Sequence, residues 1–272
     1  MEDEYYVADG GRFAAVFDGH GGGGVSQYLK KHLYGYVTTY LKEAHEAQAD
    51  HTDVPKISSL VAALRRSFQR VEDEVVQDNR LQYQGSTAVA VMLHEMSDGH
   101  RCLVSANVGD SRAILSRHGR AVDLTRDHKP NEDREKQRIL SMGEEIEWDS
   151  LAKVHRVRNL SLSRAIGDRY AKPVVTAEVE IQKYMVDEEK DEFILLASDG
   201  LWDVMTSQEV VSYVHRRMER ELEGTDIAKA DRENYKVVLR RSMAKFVARE
   251  AFRRGSGDNI CILLVWLNDN DA

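Results

Sequence analysis

The amino-acid sequence predicts an α+β fold in which helices and strands form separate layers. Two observations carry this prediction: six short apolar segments are typical of strands, and five longer segments have apolar residues at helical spacing. Most of the helices occur in pairs, before and after the central strands, and do not follow each strand singly. This order favours stacked layers over a doubly wound sheet.

The first half of the chain opens with Phe13–Phe17, five consecutive apolar residues that are typical of a buried strand. Two amphipathic helices are predicted next, because apolar faces run from Val25 to Leu41 and from Ile57 to Val75. Three further strands are predicted from segments rich in Val, Ile, Leu and Ala, at Thr87–Leu93, Arg101–Val108 and Arg112–Ser116.

The second half contains a short helix at Glu132–Met142 and an irregular segment, residues 142–184. That segment is expected to be either a flap over a site or a long surface connection. The remaining predictions are a strand at Glu192–Ser198, helices at Ser207–Leu222 and roughly Ala230–Arg253, and a closing strand at Asn259–Trp266. Ser207 is the expected N-cap of its helix. With three prolines and no low-complexity tract there is no evident linker, so one domain over residues 1–272 is predicted.

Composition excludes several classes of partner. The 42% hydrophobic and 31% charged fractions are those of a globular protein, and no apolar run approaches the roughly 20 residues that a membrane-spanning helix needs. A net charge of −8 argues against nucleic acid as the main partner. Cys102 and Cys261 both lie in apolar runs, which predicts reduced core residues and a reducing compartment, the cytoplasm or the nucleus. The oligomeric state is not predicted.

Aspartates next to glycines recur at the ends of the predicted strands. Phe13–Phe17 runs into Asp18, Gly19 and His20, and equivalent aspartates are Asp110, Asp199 and Asp258. Any one of them is consistent with an Asx turn, in which the carboxylate bonds its own backbone. Four together predict that carboxylates converge at one end of the sheets.

Converging carboxylates repel one another unless cations lie between them. Oxygen ligands without a His or Cys cluster select hard ions such as Mg²⁺ or Mn²⁺ over zinc. Two such ions about 3.5–4 Å apart can activate a water and hold a phosphoryl oxygen. His20 is then placed to protonate the leaving oxygen, and Glu2 and Asp3 offer further acidic groups.

With these segments the chain resembles the metal-dependent serine/threonine phosphatases of the protein phosphatase 2C family along almost its whole length. The matching motifs occur in the family's order, at Met1–Asp3, Val16–Gly22, Gly85–Ala88, Asn107–Ala113, Leu124–Pro130, Leu160–Asp168, Ser198–Asp203 and Gly257–Asn259. The resemblance implies two central antiparallel β-sheets packed as a sandwich, with helices on both outer faces. It also implies a signalling enzyme that hydrolyses phosphoserine and phosphothreonine in phosphorylated protein substrates, without a phosphoenzyme.

The resemblance further implies roles for individual residues. Asp18 resembles the carboxylate that bridges two Mn²⁺ or Mg²⁺ ions, and the Gly19 carbonyl resembles a ligand of one of them. Asp199 and Asp258 correspond to ligands of the other ion. Glu2 and its neighbour Asp3 correspond to the acids around the second site, Asp110 and Asp203 to residues linked to a weaker third ion, and His20 to the general acid.

Several alternatives accompany this interpretation. Members of the family carry a phosphate-gripping arginine on a strand just before Met-Glu-Asp, and since the sequence starts at Met1 we expect that first strand to be lacking. A catalytically weak or inactive pseudophosphatase that acts as a binding module is the principal alternative, and a metal-dependent phosphodiesterase or nuclease is a poorer one. Thr125–Pro130 and Leu160–Asp168 are interpreted as scaffold, with an ion pair between Arg164 and Asp168.

Overall fold

The computed structural model describes residues 1–46, 55–223 and 229–267, and within them the predicted α+β fold is confirmed. The strands are β1 (Glu4–Ala8), β2 (Phe13–Phe17), β3 (Gly19–His20), β4 (Gly85–Ser86), β5 (Ala88–Glu95), β6 (Arg101–Val108), β7 (Arg112–Arg117), β8 (Arg120–Asp123), β9 (Glu147–Asp149), β10 (Val154–Arg156), β11 (Ile166–Gly167), β12 (Glu180–Met185), β13 (Asp191–Ala197) and β14 (Ile262–Trp266). The helices are α1 (Gly24–Glu46), α2 (Ile57–Gln77), α3 (Asp133–Ser141), α4 (Asp199–Trp202), α5 (Ser207–Glu223) and α6 (Lys229–Arg253).

Two antiparallel sheets form the centre of the molecule. The first has the strand order β1-β2-β5-β6-β12, and the second has the order β14-β13-β7-β8. Every neighbouring pair within them is antiparallel, and a register shift interrupts only the pairing of β13 with β7, near Asp191 and Phe193. The sheets therefore consist of hairpins and crossovers, in agreement with the paired order of helices in the sequence.

Apolar side chains from the two sheets meet in one buried layer. Val16, Val89 and Leu103 of the first sheet pack in the same cluster as Leu115 and Leu196 of the second. Opposite faces of the strands bind the helices, since α1 and α2 pack on the first sheet and α5 and α6 on the second. The result is the expected order of helix, sheet, sheet and helix. In the part of the chain described here, no helix has the length and apolar character needed to cross a bilayer.

Edge strands account for most of the elements that the sequence analysis did not predict. β1 and β12 lie at the two edges of the first sheet, and exposed side chains occur along both. β12 falls at the end of the segment 142–184 that was predicted to be irregular, and its sequence Glu-Ile-Gln-Lys-Tyr-Met carries no apolar run. Such strands are formed by backbone pairing with a neighbour, here β12 with β6, and side-chain pattern alone does not reveal them.

The N-terminus of α5 is capped differently from the prediction. Thr206, not Ser207, forms a capping box, because its backbone N–H donates to Oε2 of Glu209 at 2.9 Å and the Glu209 N–H reaches the Thr206 hydroxyl at 3.3 Å. Ser207 is the first residue of the helix, and its hydroxyl donates to Oδ1 of Asp123 at 2.6 Å. The predicted cap is thus wrong by one residue, and Ser207 joins α5 to the end of β8.

A third, small sheet has the strand order β11-β4-β3. Its strand β3 directly follows β2 in the chain, and its strand β4 directly precedes β5. Gly85 of β4 pairs with His20 of β3 on one side and with Gly167 of β11 on the other. A Cβ atom at Gly85 would lie 2.5 Å from Nε2 of His20 and 2.1 Å from Oδ2 of Asp168. Only glycine therefore allows these two side chains to meet across the strand.

The segment 142–184 has its own small core, which is anchored by a buried carboxylate. Val157, Leu162 and Val175 pack against Ile139 of α3. Below them Glu135, 1% exposed, accepts hydrogen bonds from Arg164 at 2.6 Å and from Arg138 at 2.8 Å.

The predicted ion pair between Arg164 and Asp168 is consequently wrong. Arg164 pairs with Glu135, which lies much earlier in the chain. Asp168 contacts His20 instead. The spacing of four residues suggested a local pair, whereas the charges are neutralised by partners from other elements.

The Glu135 carboxylate should stabilise the fold mainly above acidic pH. Burial opposes its ionisation, but hydrogen bonds from Arg164 and Arg138 outweigh burial and lower the pKa of Glu135 from 4.5 to about 2. A depressed folded-state pKa gives stability that is present above the unfolded value and lost as pH falls between those two values. We expect Glu135→Gln to lower the free energy of unfolding near neutral pH by roughly 2–3 kcal/mol.

The measurement is urea unfolding of both proteins at about pH 7 and about pH 3, where the difference between them should shrink. Glu144→Gln is the matched control, because Glu144 pairs with Arg158 on the surface and such pairs contribute about 1 kcal/mol or less. A difference between wild type and Glu135→Gln that grows at low pH would contradict the assignment.

Candidate metal centre

The backbone of Asp18 is fixed by the neighbouring strand end. Its N–H donates to the Thr87 hydroxyl at 3.1 Å, and the Thr87 N–H donates to the Asp18 carbonyl at 2.8 Å. Thr87 in turn bonds the Ser111 hydroxyl at 2.6 Å, next to Asp110. The ends of β2, β5 and β6 are thereby held together, and two of the predicted carboxylates lie on this junction.

The N-terminal segment is tied to the same region through Ser198. The Ser198 hydroxyl donates to Oδ2 of the buried Asp3 at 2.9 Å, and it accepts the N–H of Cys261 at 3.0 Å. The Glu2 N–H donates to Oδ1 of Asn259 at 3.1 Å. Glu2 and Asp3 thus lie against the loops that carry Asp199 and Asp258.

Gly19 and Gly200 allow these segments to approach closely. A Cβ atom at Gly19 would lie 2.7 Å from the Glu2 carbonyl oxygen, and one at Gly200 would lie 2.0 Å from the Asn259 carbonyl oxygen. Neither position has room for a side chain. Close packing of the backbone therefore explains why glycine follows Asp18 and Asp199.

The carboxylates are close enough to perturb one another strongly. Burial, and then the charges of Asp199, Asp3 and Asp110, raise the pKa of Asp18 to about 10. Burial and the Asp199 charge raise the pKa of Asp110 to about 7. Burial, followed by the charges of Asp203 and Asp258, raises the pKa of Asp199 to about 6.

Asp203 and Asp258 are more exposed members of this group. Asp203 lies one helical turn after Asp199, and Asp258 lies in the loop before β14, where its Oδ1 accepts the Asn259 N–H at 2.7 Å. Burial raises the pKa of Asp3, and the Asp258 charge adds to this effect. Hydrogen bonds with Ser198 and Asp18 oppose it without outweighing it. The structure therefore brings all of the predicted acidic residues to one region, with Asp18 as the most strongly affected of them.

Lys129 is a cation within this acidic group that the sequence analysis interpreted as scaffold. Its Nζ lies 3.2 Å from Oδ1 of Asp203 and 4.0 Å from Oδ2 of Asp110. Burial favours the neutral amine, but the charges of Asp110 and Asp203 outweigh it and raise the pKa of Lys129. The sequence signal was the position of Lys129 in Thr125–Pro130, one of the motifs shared with the phosphatase family.

The donor set fits hard divalent cations. One ammonium group does not balance the several carboxylates around it, and mutual repulsion of this kind is relieved when cations bind. Among the residues that the structure describes, no group of three or more His, Cys, Asp or Glu side chains is already positioned to hold a metal ion. What fits the ions is the chemistry of the donors: an excess of oxygen ligands, held at strand ends that close-packed glycines bring together.

His20 is held by a buried carboxylate that was not predicted to contact it. Nε2 of His20 lies 2.7 Å from Oδ2 of Asp168, whose side chain is 0% exposed. Burial alone would lower the pKa of His20, but the hydrogen bond and charge of Asp168 raise it. Asp168 has a left-handed backbone (φ 49°), and its Oδ1 is buried without a hydrogen-bond partner. The sequence signal was again a Gly-Asp pair after a short strand, at Gly167 and Asp168.

A cleft of about 470 Å³ opens beside the carboxylates. One wall is formed by Asp110, Lys129, Asp199 and Asp203. The other wall comes from the β9–β10 hairpin, where Trp148 and His155 lie with ring centroids 4.8 Å apart. Part of the segment 142–184 therefore borders the candidate centre, as a flap would, although its role in binding stays a prediction.

The chain is similar to known sequences over most of its length. A family model described as "Protein phosphatase 2C" matches residues 7–260. A probable protein phosphatase 2C 69 of Arabidopsis thaliana is 35% identical over 94% of this chain, and a probable protein phosphatase 2C member 13, mitochondrial, of Oryza sativa is 36% identical over 99%. The chain spans 62% and 65% of these two relatives' own lengths.

Solved structures show the same fold. A C. elegans sex-determining protein superposes with a TM-score of 0.76 at 25% identity, covering 97% of this chain and 61% of that one. A serine-threonine phosphatase 2C from Toxoplasma gondii gives a TM-score of 0.72 at 22% identity, covering 93% of this chain and 84% of that one. The layered architecture is therefore shared across sequences that have diverged widely.

Removing the charge of Asp18 should stabilise the metal-free protein. A raised folded-state pKa favours the protonated acid in the folded state, so the wild type loses stability as pH rises above the unfolded value of 3.8. Asp18→Asn has no such charge, and we expect it to raise the free energy of unfolding in EDTA by on the order of 1–3 kcal/mol near neutral pH. Its advantage should increase as pH rises from about 4 to about 8.

The same variant should lose the stabilisation that Mn²⁺ gives. Ligand binding to the folded state raises the melting temperature, so excess Mn²⁺ should shift the wild type by several degrees and Asp18→Asn much less. Differential scanning fluorimetry with and without EDTA measures both effects. Asp187→Asn is the control, because Asp187 is a partly exposed turn residue that pairs with Lys190, and this variant should match the wild type in its metal response. An equal Mn²⁺ shift in Asp18→Asn would remove Asp18 from the metal centre.

Proposed function

The chain belongs to the protein phosphatase 2C family, and we propose that it hydrolyses phosphoserine and phosphothreonine in protein substrates with the aid of Mn²⁺ or Mg²⁺. The observation that carries this proposal is the convergence of Asp18, Asp110 and Asp199 beside His20, which is itself held by Asp168. Strand-end carboxylates and a positioned imidazole are what metal-assisted hydrolysis of a phosphate ester requires.

Membership of the family implies which residues would hold the ions. Asp18, the Gly19 carbonyl and Glu2 would serve one ion, while Asp18, Asp199 and Asp258 would serve the other. Asp110 and Asp203 would hold a weaker third ion, which would replace their present contacts with Lys129. When bound, the ions supply charge neutralisation at the phosphate and a water of lowered pKa.

The protein's own groups orient the substrate. The cleft between the carboxylates and the β9–β10 hairpin admits a phosphorylated side chain, and Lys129 lies in its wall, with its side chain 35% exposed. An ammonium at this place attracts the phosphate dianion, which would otherwise be repelled by the surrounding acids. Lys129 therefore contributes to binding, not to the bond-breaking step.

His20 supplies the proton for the leaving group. In the reaction a water oxygen forms a bond to phosphorus, and the bond between phosphorus and the seryl or threonyl oxygen breaks, with its electron pair going to that oxygen. Nε2 of His20 faces Asp168, so Nδ1 is the atom left to transfer a proton to the departing alkoxide. Asp168 fixes the ring and favours its protonated form.

Metal-dependent turnover is the first test of this function. The protein should hydrolyse a phosphothreonine peptide in Mn²⁺ or Mg²⁺, and excess EDTA should abolish the release of phosphate. Asp199→Asn should lower kcat/KM by about 100-fold or more, because it removes a carboxylate from the ion site. Asp187→Asn is the control and should keep full activity.

Turnover in excess EDTA would exclude the proposed mechanism. A wild type that binds Mn²⁺ in calorimetry but releases no phosphate from any phosphopeptide would instead favour a binding module without turnover.

The effect on kcat of losing the His20–Asp168 contact should depend on the leaving group of the substrate. We expect Asp168→Asn to lower kcat for a phosphothreonine peptide by about 10²–10⁴-fold, the typical contribution of a positioned acid. The loss should be much smaller for p-nitrophenyl phosphate, whose leaving phenolate needs no proton.

Glu180→Gln is the matched control, because Glu180 pairs with a different histidine, the buried His128, at 3.2 Å. It should change the rates for both substrates by the same factor. An equal loss for both substrates in Asp168→Asn would assign Asp168 a structural role only.

A further inference from the structure

Two exposed tyrosines stand next to the His20–Asp168 contact and have no part in the chemistry described above. Tyr83 is 65% exposed and Tyr170 is 44% exposed. Their ring centroids are 5.9 Å apart with a tilt of 47°, so they form one aromatic surface, the Tyr83–Tyr170 pair. Large exposed aromatic side chains cost free energy in water, and a neighbouring pair of them is typical of a binding surface.

The register of the small sheet places this pair beside His20. His20 of β3 pairs with Gly85 of β4, and Gly85 also pairs with Gly167 of β11. Because both pairings are antiparallel, the residues after β3, before β4 and after β11 all emerge at the same end of this sheet. Tyr83 precedes β4 by two residues and Tyr170 follows β11 by three, so both emerge where His20 ends its strand.

The backbone beneath the pair is firmly held. The Asp168 N–H donates to the Gln84 carbonyl at 2.8 Å, which joins the two tyrosine-bearing segments directly. Arg169, next to Tyr170, donates to the Val76 carbonyl at 3.2 Å and to Oδ1 of Asn79 at 3.0 Å. A surface that is fixed before binding loses less conformational entropy when a ligand arrives.

The glycine-rich loop that follows His20 packs directly on the segment that carries Tyr83. Gly21 lies so close to the Tyr83 segment that a Cβ atom there would be 2.4 Å from the Tyr83 carbonyl oxygen. At Gly22 a Cβ atom would be 2.7 Å from the Gln84 side chain. These glycines allow the loop after His20 and the segment before β4 to lie in direct contact.

The two sides of the candidate centre therefore differ in chemistry. The cleft wall opposite the hairpin carries Asp110, Asp203 and Lys129, whereas the Tyr83–Tyr170 pair lies at the end of the small sheet where His20 ends its strand. A tyrosine hydroxyl is ordinarily neutral at physiological pH, and burial and the Asp168 charge raise the pKa of Tyr170 further. A neutral aromatic surface favours an apolar side chain, and it stands on the side where the leaving oxygen departs.

We propose that Tyr83 and Tyr170 bind an apolar or aromatic side chain of the substrate residue that adjoins the phosphorylated serine or threonine. This inference rests on the proposed phosphatase function and adds a preference for sequence to it. The leaving group is the substrate's own polypeptide, so a neighbouring side chain of that polypeptide is what comes within reach of rings beside His20. The pair then contributes specificity and leaves the bond-breaking step unchanged.

The test compares short phosphothreonine peptides with Mn²⁺ present. One peptide has glycine on both sides of the phosphothreonine, and the others replace the preceding or the following glycine by phenylalanine or leucine. The wild type should prefer one apolar-flanked series over the glycine peptide by about three- to tenfold in kcat/KM, the range that aromatic contacts provide. The double variant Tyr83→Ser, Tyr170→Ser should reduce that ratio to about one.

Two further variants make the result specific. Tyr83→Phe with Tyr170→Phe keeps both rings and should retain the preference, and it also serves if the serine variant is poorly folded. Phe252→Ser removes an exposed aromatic ring from α6, where Phe252 is 75% exposed, and should leave the preference intact. The glycine peptide should be hydrolysed at similar rates, within about twofold, by the wild type and all variants.

The outcomes separate this inference from the function on which it depends. Hydrolysis of the glycine peptide by the wild type with no preference for either apolar-flanked series would overturn the inference but leave the phosphatase function standing. A preference that persists in the double serine variant would do the same. Failure of the wild type to hydrolyse any of the peptides would instead reject the phosphatase function itself.

Discussion

Repulsion between buried carboxylates at Asp18 is the constraint on which the arrangement of the site depends. Its acidic neighbours, Asp3, Asp110 and Asp199, come from segments far apart in sequence, and without cations the folded chain must keep protons on some of them. The fold holds them together with neutral contacts, chiefly the Ser198 and Thr87 hydroxyls and the close backbone approaches at Gly19 and Gly200. The sandwich core thus supplies the free energy that this charge cluster costs.

This division of labour explains why the layers differ in composition. Apolar side chains fill most of the interface between the sheets, whereas the buried Ser198, Thr87 and Ser111 lie at strand ends beside the carboxylates. Buried hydroxyls satisfy backbone and carboxylate groups without adding charge to a region that already has an excess of it. Replacing such a hydroxyl by a charged group would worsen the repulsion, and replacing it by an apolar group would leave the neighbouring polar groups unpaired.

The sequence predicted the layers and the acidic residues because both leave local patterns. A buried strand followed by Asp-Gly is visible at Asp18 and Asp199 without any tertiary information. Asp168 carries a similar pattern, but its partner could not be predicted, because the sheet that joins β3, β4 and β11 consists of two-residue strands with no periodicity to detect. Edge strand β12 was missed for the related reason that its pairing with β6 is made by backbone atoms.

Two histidine–carboxylate pairs in this protein show why geometry is needed to separate chemistry from scaffold. His128 accepts the Gly109 N–H at Nδ1 and contacts Glu180 at Nε2, so both ring nitrogens are occupied, and the residue is 2% exposed. His20 contacts Asp168 through Nε2, and its side chain is 27% exposed. A ring held at both nitrogens cannot give up a proton without breaking a structural contact, whereas a ring held at one nitrogen can exchange a proton at the other while the carboxylate keeps its orientation. The two pairs carry the same kinds of group, but His128 is held at both ring nitrogens inside the fold, whereas the partly exposed His20 has the geometry that the proposed proton transfer requires.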